Sequence, residues 1–374
     1  MNRHGGEAQA PRPSEHVRWL EGLSPWPAEY GLERMQRLLA AIGHPEHAFP
    51  AIHVVGTNGK GSTTLMAAAL LNAEGLRVGA TISPHVLGWS ERIQVDGAHA
   101  DLEAALARVR PDAERLGATQ FEVVSAAAFA EFAARAVDVA VVEAGLGGRL
   151  DATNVLGARV VVLTNVAREH TEVLGETREQ IAGEKLAVVA PGATVILGEP
   201  EWEDLARANG AGHVEVVSRS NLALAVAAAE AFLERRVDPT PAEELRLPAR
   251  LERRSEQPLE IWDGAHNIAG VGYLLPRLPD RRYVIVASIL ADKDADAMVR
   301  ALSTVGSAFV ATASSNPRAV PAADLAALAR PHFEQVEAVD DPGAALARGR
   351  DLAGAGGALL VTGSTYLLAD LSGR

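Results

Sequence analysis

His53-Val54-Val55-Gly56-Thr57-Asn58-Gly59-Lys60-Gly61-Ser62-Thr63-Thr64 reads as an apolar strand that runs into a glycine loop and opens a helix. Such a turn aims backbone N–H groups and the positive helix end at one point, and Lys60 adds a charge suited to the β- and γ-phosphates of a nucleoside triphosphate. The strict pattern G-x-x-x-x-G-K-[ST] is not met: Val54 stands where its first glycine belongs, and Gly61 where a hydroxyl should follow the lysine. An ordinary βα turn also carries glycines. Two of them flanking a lysine, between a strand and a helix without a side-chain cap, favour the phosphate reading.

From this loop outward, short β-branched runs alternate with Ala- and Leu-rich helical stretches, the order of parallel strands with crossover helices, so the class is α/β. The strands expected are Ala51–Val55, Val78–Ile82, Val139–Glu143, Val160–Thr164 and Thr194–Leu197. Glu143 and Thr164 stand at C-terminal strand ends, the edge where open parallel sheets bind ligands. A helix is expected over Ser62–Gly75, with Gly75 at its C-cap, and another over Leu222–Arg236. Beyond the latter, Pro239 and Pro241 break the periodicity, and a hinge is placed at Leu247–Arg250. A second series follows: Leu259–Trp262, Tyr283–Ala287, Ala308–Ala311, Gln335–Val339 and Ala358–Thr362. The expected organisation is a flexible tail over 1–14, a P-loop NTPase-like domain with a mostly parallel sheet over 15–246, the hinge 247–250, and a smaller Rossmann-like, doubly wound domain over 251–374.

Composition narrows the chemistry. Of 374 residues, 48% are apolar and 22% charged, and 35 Lys and Arg face 48 Asp and Glu for a formal charge of −13. A non-specific nucleic-acid binder needs the opposite sign. No cysteine occurs, which excludes disulfides, Cys-ligated zinc, iron–sulfur clusters and thiol nucleophiles, so any metal must sit on oxygen or imidazole. The N-terminus has no apolar segment of the secretory kind. The richest apolar stretch, Ser125–Val142, is interrupted by Glu131, Arg135 and Asp138, whereas a bilayer needs about 20 mostly apolar residues in a row. A cytoplasmic protein without membrane partners is expected.

Two more segments carry candidate chemistry. In Val141-Val142-Glu143-Ala144-Gly145-Leu146-Gly147-Gly148-Arg149-Leu150-Asp151-Ala152-Thr153-Asn154, a strand-end carboxylate precedes a glycine-rich loop, the position of an acid that holds Mg²⁺ directly or through water. A lone strand-end Glu can instead cap a helix. Thr164-Asn165-Val166-Ala167-Arg168-Glu169-His170, followed by Glu184-Lys185, adds an imidazole at another strand end.

Together these segments resemble the folylpolyglutamate synthase/dihydrofolate synthase family, a branch of the Mur ligases. The resemblance rests on Gly56–Ser62, on Ile82-Ser83-Pro84-His85 with Ser90-Glu91-Arg92, on Glu143–Asn154 and on His170-Thr171-Glu172-Val173-Leu174-Gly175. It continues through Leu247-Pro248-Ala249-Arg250-Leu251-Glu252, Asp263-Gly264-Ala265-His266-Asn267, Ala291-Asp292-Lys293-Asp294 and Gly363-Ser364. These motifs stand in the family's order and cover nearly the whole chain from Glu21.

The resemblance implies an ATP-dependent ligase that joins L-glutamate to a pteroate or folate carboxylate through an acyl phosphate, with dihydropteroate and reduced folates as acceptors. It implies that Gly56, Thr57, Asn58, Gly59, Lys60, Gly61 and Ser62 cradle the ATP phosphates. Two Mg²⁺ sites follow by family position, with Glu143 as the shared ligand, Ser83 on the first ion and His170 on the second. Lys185 matches a lysine that the family carbamylates; as a plain residue it would be a surface lysine. Arg250, Asp263 and His266 match residues at the ATP ribose and phosphates, and Asn221 matches an adenine contact. Closure of the two domains would assemble these parts. Taken alone, Asp263 could be a helix cap and His266 its partner. Thr119-Gln120-Phe121-Glu122, Arg149, Asp151 and Ala152 resemble the acceptor-binding segments of bifunctional members, with Phe121 stacking on the pterin and Asp151 meeting its amide edge; Phe121 could equally be a core residue. A family member limited to folylpolyglutamate synthesis and another Mur-type amino-acid ligase are the alternatives, the latter disfavoured because only 50 residues precede the P-loop strand. A monomer is expected. Two departures are visible: Glu169 replaces the family's usual Asp, and only 23 residues separate Leu197 from Asn221.

Overall fold

The computed structural model describes residues 14–373; apart from Ser14, the segment read as a tail lies outside them. The described chain forms two compact units, one of residues 19–85 and 89–247, the other of 248–373 with 14–18 and 86–88.

The first unit is built on an eight-stranded sheet: β1 (Ala51–Val55), β2 (Val78–Thr81), β3 (Ile93–Val95), β4 (Ala98–His99), β5 (Val139–Glu143), β6 (Val160–Leu163), β7 (Thr194–Leu197) and β8 (His213–Val216). Their spatial order is β4-β3-β2-β5-β1-β6-β7-β8, and all neighbours are parallel except the pairs that involve β3. The strand that feeds the glycine loop is therefore central, with β5 on one side, in register Val54 opposite Glu143, and β6 on the other. Every residue of β1 is buried, as expected of a strand covered by helices on both faces. Ile52 and Val54 pack with Leu70, Leu71 and Leu224. Ala51 and Val55 pack on the opposite face with Val161, Ile181 and Leu186.

The first helix after β1 spans Lys60–Ala73 rather than Ser62–Gly75. Gly59, with φ 84°, turns the chain straight from loop to helix without a side-chain cap, and Gly75 lies just past the end at φ 86°. The helix expected over Leu222–Arg236 runs Asn221–Leu233 and stops where Glu234 turns left-handed at φ 57°. Thr164 and Ile82 fall just outside β6 and β2.

The second unit carries a six-stranded sheet: β9 (Glu252–Glu256), β10 (Leu259–Trp262), β11 (Tyr283–Ala287), β12 (Gly306–Ala311), β13 (Gln335–Ala338) and β14 (Ala358–Thr362). The order is β13-β12-β11-β14-β10-β9, parallel except for β9. Helices cover both faces over separate apolar clusters. Among the described residues, no helix is long and apolar enough to cross a membrane.

Candidate active site

The loop 56–60 is held by the segment that leaves β6. Thr57 N–H donates to the Asn165 carbonyl (2.9 Å), and Ala167 N–H to the Thr57 hydroxyl (3.0 Å). The Asn165 side chain accepts from Asn58 N–H (3.2 Å) and donates to the Asn58 carbonyl (2.7 Å). Lys60 Nζ bonds the Thr57 carbonyl at 3.3 Å, so its charge lies over the loop. Ser62 is buried in the helix's first turn. Asn221, from the start of helix Asn221–Leu233, lies against Gly59: a Cβ on that glycine would collide with the Asn221 amide oxygen.

Glu143 reaches this loop from the end of β5. Its buried carboxylate accepts Ser83 N–H at 2.8 Å through Oε2, and a Cβ built on Gly61 would stand 3.0 Å from the same oxygen. Gly61, Ser83 and Glu143 thus converge, and the missing hydroxyl after Lys60 has a steric reason: the carboxylate fills the space a side chain would take. Oxygen donors of this kind suit Mg²⁺, so the residues fit the ion that the sequence implies.

Lys185 lies inside the molecule on helix Arg178–Leu186, only 4% exposed, which overturns the surface-lysine alternative. Its Nζ donates to the Gly56 carbonyl at 2.8 Å. Burial, then the nearby Lys60 charge, pull its pKa from the usual range to about 7, against the opposing pull of Glu169 and Asp151. His170 stands at the N-cap position of the short helix Thr171–Leu174 in a left-handed conformation, φ 52°, without a side-chain cap bond, and its Nδ1 lies 3.8 Å from Glu172 Oε1.

The acceptor-binding candidates gather on the loop after β5. The half-buried Phe121 follows the start of helix Gln120–Ala134, and its ring lies over Gly145. Asp151 and Ala152 are buried. Asp151 Oδ2 accepts Leu146 N–H at 2.8 Å, while Oδ1 accepts Thr153 N–H at 3.0 Å and the Thr153 hydroxyl. Both oxygens are thus engaged within the loop, and burial raises the carboxyl's pKa against these bonds. Arg149 is exposed and pairs with Glu184 at 2.8 Å.

In the second unit, Asp263 does not cap a helix; Asn267 does, accepting Gly270 N–H at 2.7 Å. Asp263 instead accepts Leu251 N–H (2.8 Å) and Ala265 N–H (2.9 Å), tying the segment 249–251 to the end of β10. Ala249 and Leu251 there hold φ values of 56° and 48°. Burial raises the Asp263 pKa against the pull of Arg250. Arg250 Nη1 donates to the Ala249 carbonyl at 2.9 Å, and His266 Nδ1 lies 3.0 Å from the Gly264 carbonyl. Trp262 is a core residue, 2% exposed, donating to Glu260 at 2.8 Å.

Two family models match the chain: the Mur ligase middle domain over residues 54–237 and the Mur ligase glutamate ligase domain over 249–365. The dihydrofolate synthase/folylpolyglutamate synthase of Bacillus subtilis is 30% identical over 95% of this chain and 97% of its own length. The chain belongs to the folylpolyglutamate synthase/dihydrofolate synthase family of the Mur ligases. Solved members agree with its fold along nearly its whole length. FolC of E. coli in complex with DHPP and ADP is 28% identical with a TM-score of 0.87, covering 96% of this chain and 97% of that one. The bifunctional folylpolyglutamate synthase/dihydrofolate synthase of Yersinia pestis complexed with AMPPNP and Mn ion is 29% identical with a TM-score of 0.85, covering 97% and 98%.

Within this family member, the sequence does not announce Asn165 as the clamp on the phosphate loop; its only sequence signal is an Asn just past a strand end. His53 has a plainer signal, a histidine inside an otherwise apolar strand.

Proposed function

We propose that this chain joins L-glutamate to the carboxylate of dihydropteroate and of reduced folates at the expense of ATP. The observation that carries the reading is the convergence of Gly61, Ser83 and Glu143 beside a lysine-bearing phosphate loop, in a chain of this family. The acceptor carboxylate oxygen attacks the γ-phosphorus while the bond to the β–γ bridging oxygen breaks, giving ADP and an acyl phosphate. The α-amine of glutamate then attacks the acyl carbon; the amide forms as inorganic phosphate leaves, and the amine gives up a proton. Neither step needs a protein nucleophile. Such transfers are catalysed by positioning and charge neutralisation.

The amides of Gly56–Ser62 cradle the phosphates, and Lys60 faces the β- and γ-oxygens. Glu143 and Ser83 would hold one Mg²⁺ and Glu143 with His170 a second, which when bound neutralise the charge of the transferring group. Lys185 adds its neutral amine to CO₂, releasing a proton and becoming an anionic oxygen donor in place of a cation. Phe121, Arg149, Asp151 and Ala152 bind the acceptor, while Arg250, Asp263, His266 and Asn221 contact the nucleotide.

The test is mass spectrometry of products after incubation with MgATP, glutamate and either dihydropteroate or tetrahydrofolate. Each acceptor should gain glutamyl units with matching ADP release. No glutamylated product from either acceptor overturns the reading.

A further inference from the structure

His53 breaks the apolar run of the central strand, between Ala51 and Val55, whose side chains lie in the core. It is 1% exposed. A polar side chain in such a place costs free energy unless its hydrogen bonds are made, and a residue that violates the local pattern is where function is to be sought. Its Nε2 lies 2.8 Å from the Thr153 hydroxyl, a residue one hundred positions away and itself fully buried.

The direction of these bonds follows from counting protons. Thr153 has one hydroxyl proton, and it points at Asp151 Oδ1. Its oxygen must therefore accept from His53, which fixes the imidazole as the tautomer protonated on Nε2. Burial also lowers the imidazole's pKa to about 4, which keeps the ring neutral at ordinary pH. Asp151 passes the constraint on: its other oxygen accepts Leu146 N–H at 2.8 Å. Gly145 leaves no room for a side chain, since a Cβ there would stand 2.7 Å from the Phe121 ring and 3.1 Å from Asp151 Oδ2.

We propose that His53 is a positioning residue for the acceptor pocket: through Thr153 and Asp151 it sets the loop 145–154 on which the Phe121 ring rests. The assignment of that loop to the acceptor rests on the function proposed above. The donor at His53, rather than its bulk, is what the loop requires.

Two substitutions separate donor from bulk. His53→Leu fills the site without an N–H, while His53→Gln restores a donor near Nε2. Hydrogen exchange on the whole protein should show faster exchange in peptides covering 145–154 for His53→Leu, unchanged exchange in 56–62, and recovery in His53→Gln. In kinetics, His53→Leu should raise KM for the acceptor about tenfold, the loss of one buried hydrogen bond, with KM for ATP and kcat changed less than about twofold. Thr153→Val cuts the same chain without touching the strand and should match His53→Leu, which keeps the test open if the leucine variant does not fold. Unchanged exchange in 145–154, or equal rises in KM for ATP and acceptor, overturns the proposal. A wild-type protein that glutamylates neither acceptor refutes the activity instead, and the exchange data still decide the role of His53.

Discussion

A serine at position 61 would complete the ordinary P-loop pattern, yet its Cβ would lie 3.0 Å from Glu143 Oε2. Gly61→Ser should therefore impair the site although it looks like a repair: the carboxylate must shift, and we expect the half-saturating Mg²⁺ concentration to rise about tenfold, equivalent to about 1.4 kcal/mol. A magnesium titration of ATP turnover checks this; an unchanged midpoint would show that Glu143 does not serve the metal. Lys185 gives a second prediction, with a definite sign. Its ammonium loses the proton as pH rises through about 7, and only the neutral amine reacts with CO₂. Stripping bicarbonate should lower kcat, with recovery on adding it back, and recovery should be slower at about pH 6 than at about pH 8 because less of the amine is neutral. Lys185→Ala should lack any response to bicarbonate. The phosphate loop and the carboxylate loop were legible because each is a contiguous string. The burial of Lys185 was not, because the Gly56 carbonyl that holds it lies 129 positions away.

At the scale of elements, helix Gln120–Ala134 shows a signal present in the sequence but read for another purpose. Thr119-Gln120-Phe121-Glu122 forms a capping box: Thr119 N–H donates to Glu122 Oε2 at 2.8 Å, and the Thr119 hydroxyl accepts from Glu122 N–H. Arg34 adds a 2.7 Å bond to the same carboxylate oxygen. Because Phe121 sits in the first turn, the cap also fixes where its ring enters the loop after β5. Thr119→Ala should cost about 1 kcal/mol of stability, read as a lower urea midpoint at unchanged slope. A variant as stable as wild type would mean that Arg34 and the backbone N–H of residue 119 hold Glu122 in place without the hydroxyl. The strands that the sequence does not announce are β3, β4, β8 and β9, of which β4, β8 and β9 are edges and β3 is the neighbour of β4: β3 and β4 span three and two residues, β8 is the short His213-Val214-Glu215-Val216, and β9 is the charged string Glu252-Arg253-Arg254-Ser255-Glu256. Their pairing is decided by the neighbouring strand rather than by an apolar pattern of their own, and charge on an edge strand discourages pairing with other chains.

For the whole molecule, the residues assigned to phosphoryl transfer, Lys60, Ser83 and Glu143, lie in the unit of residues 19–85 and 89–247, whereas the glutamate ligase domain model matches 249–365. The long buried runs of both sheets made this α/β organisation readable, since the central strands are buried along their whole length and mostly apolar. Links across long stretches of chain, such as His53 to Thr153, have no counterpart in any local string. If acyl phosphate formation precedes amine attack, the first half of the reaction needs ATP and acceptor but no glutamate. Hydroxylamine, a small amine that attacks acyl phosphates directly, should then yield an acceptor hydroxamate and ADP in glutamate-free mixtures. Lys60→Ala should lose hydroxamate and glutamyl product together, each by more than tenfold, a loss above about 1.4 kcal/mol, because the missing charge acts on the shared phosphoryl step. Its circular dichroism should match wild type, since the Lys60 side chain makes its bond to a loop carbonyl rather than to the core. Glutamyl product without any hydroxamate from the wild-type enzyme would argue against an acyl phosphate that an outside amine can reach. A lysine variant that retains hydroxamate formation would place phosphoryl transfer under residues other than those of this loop.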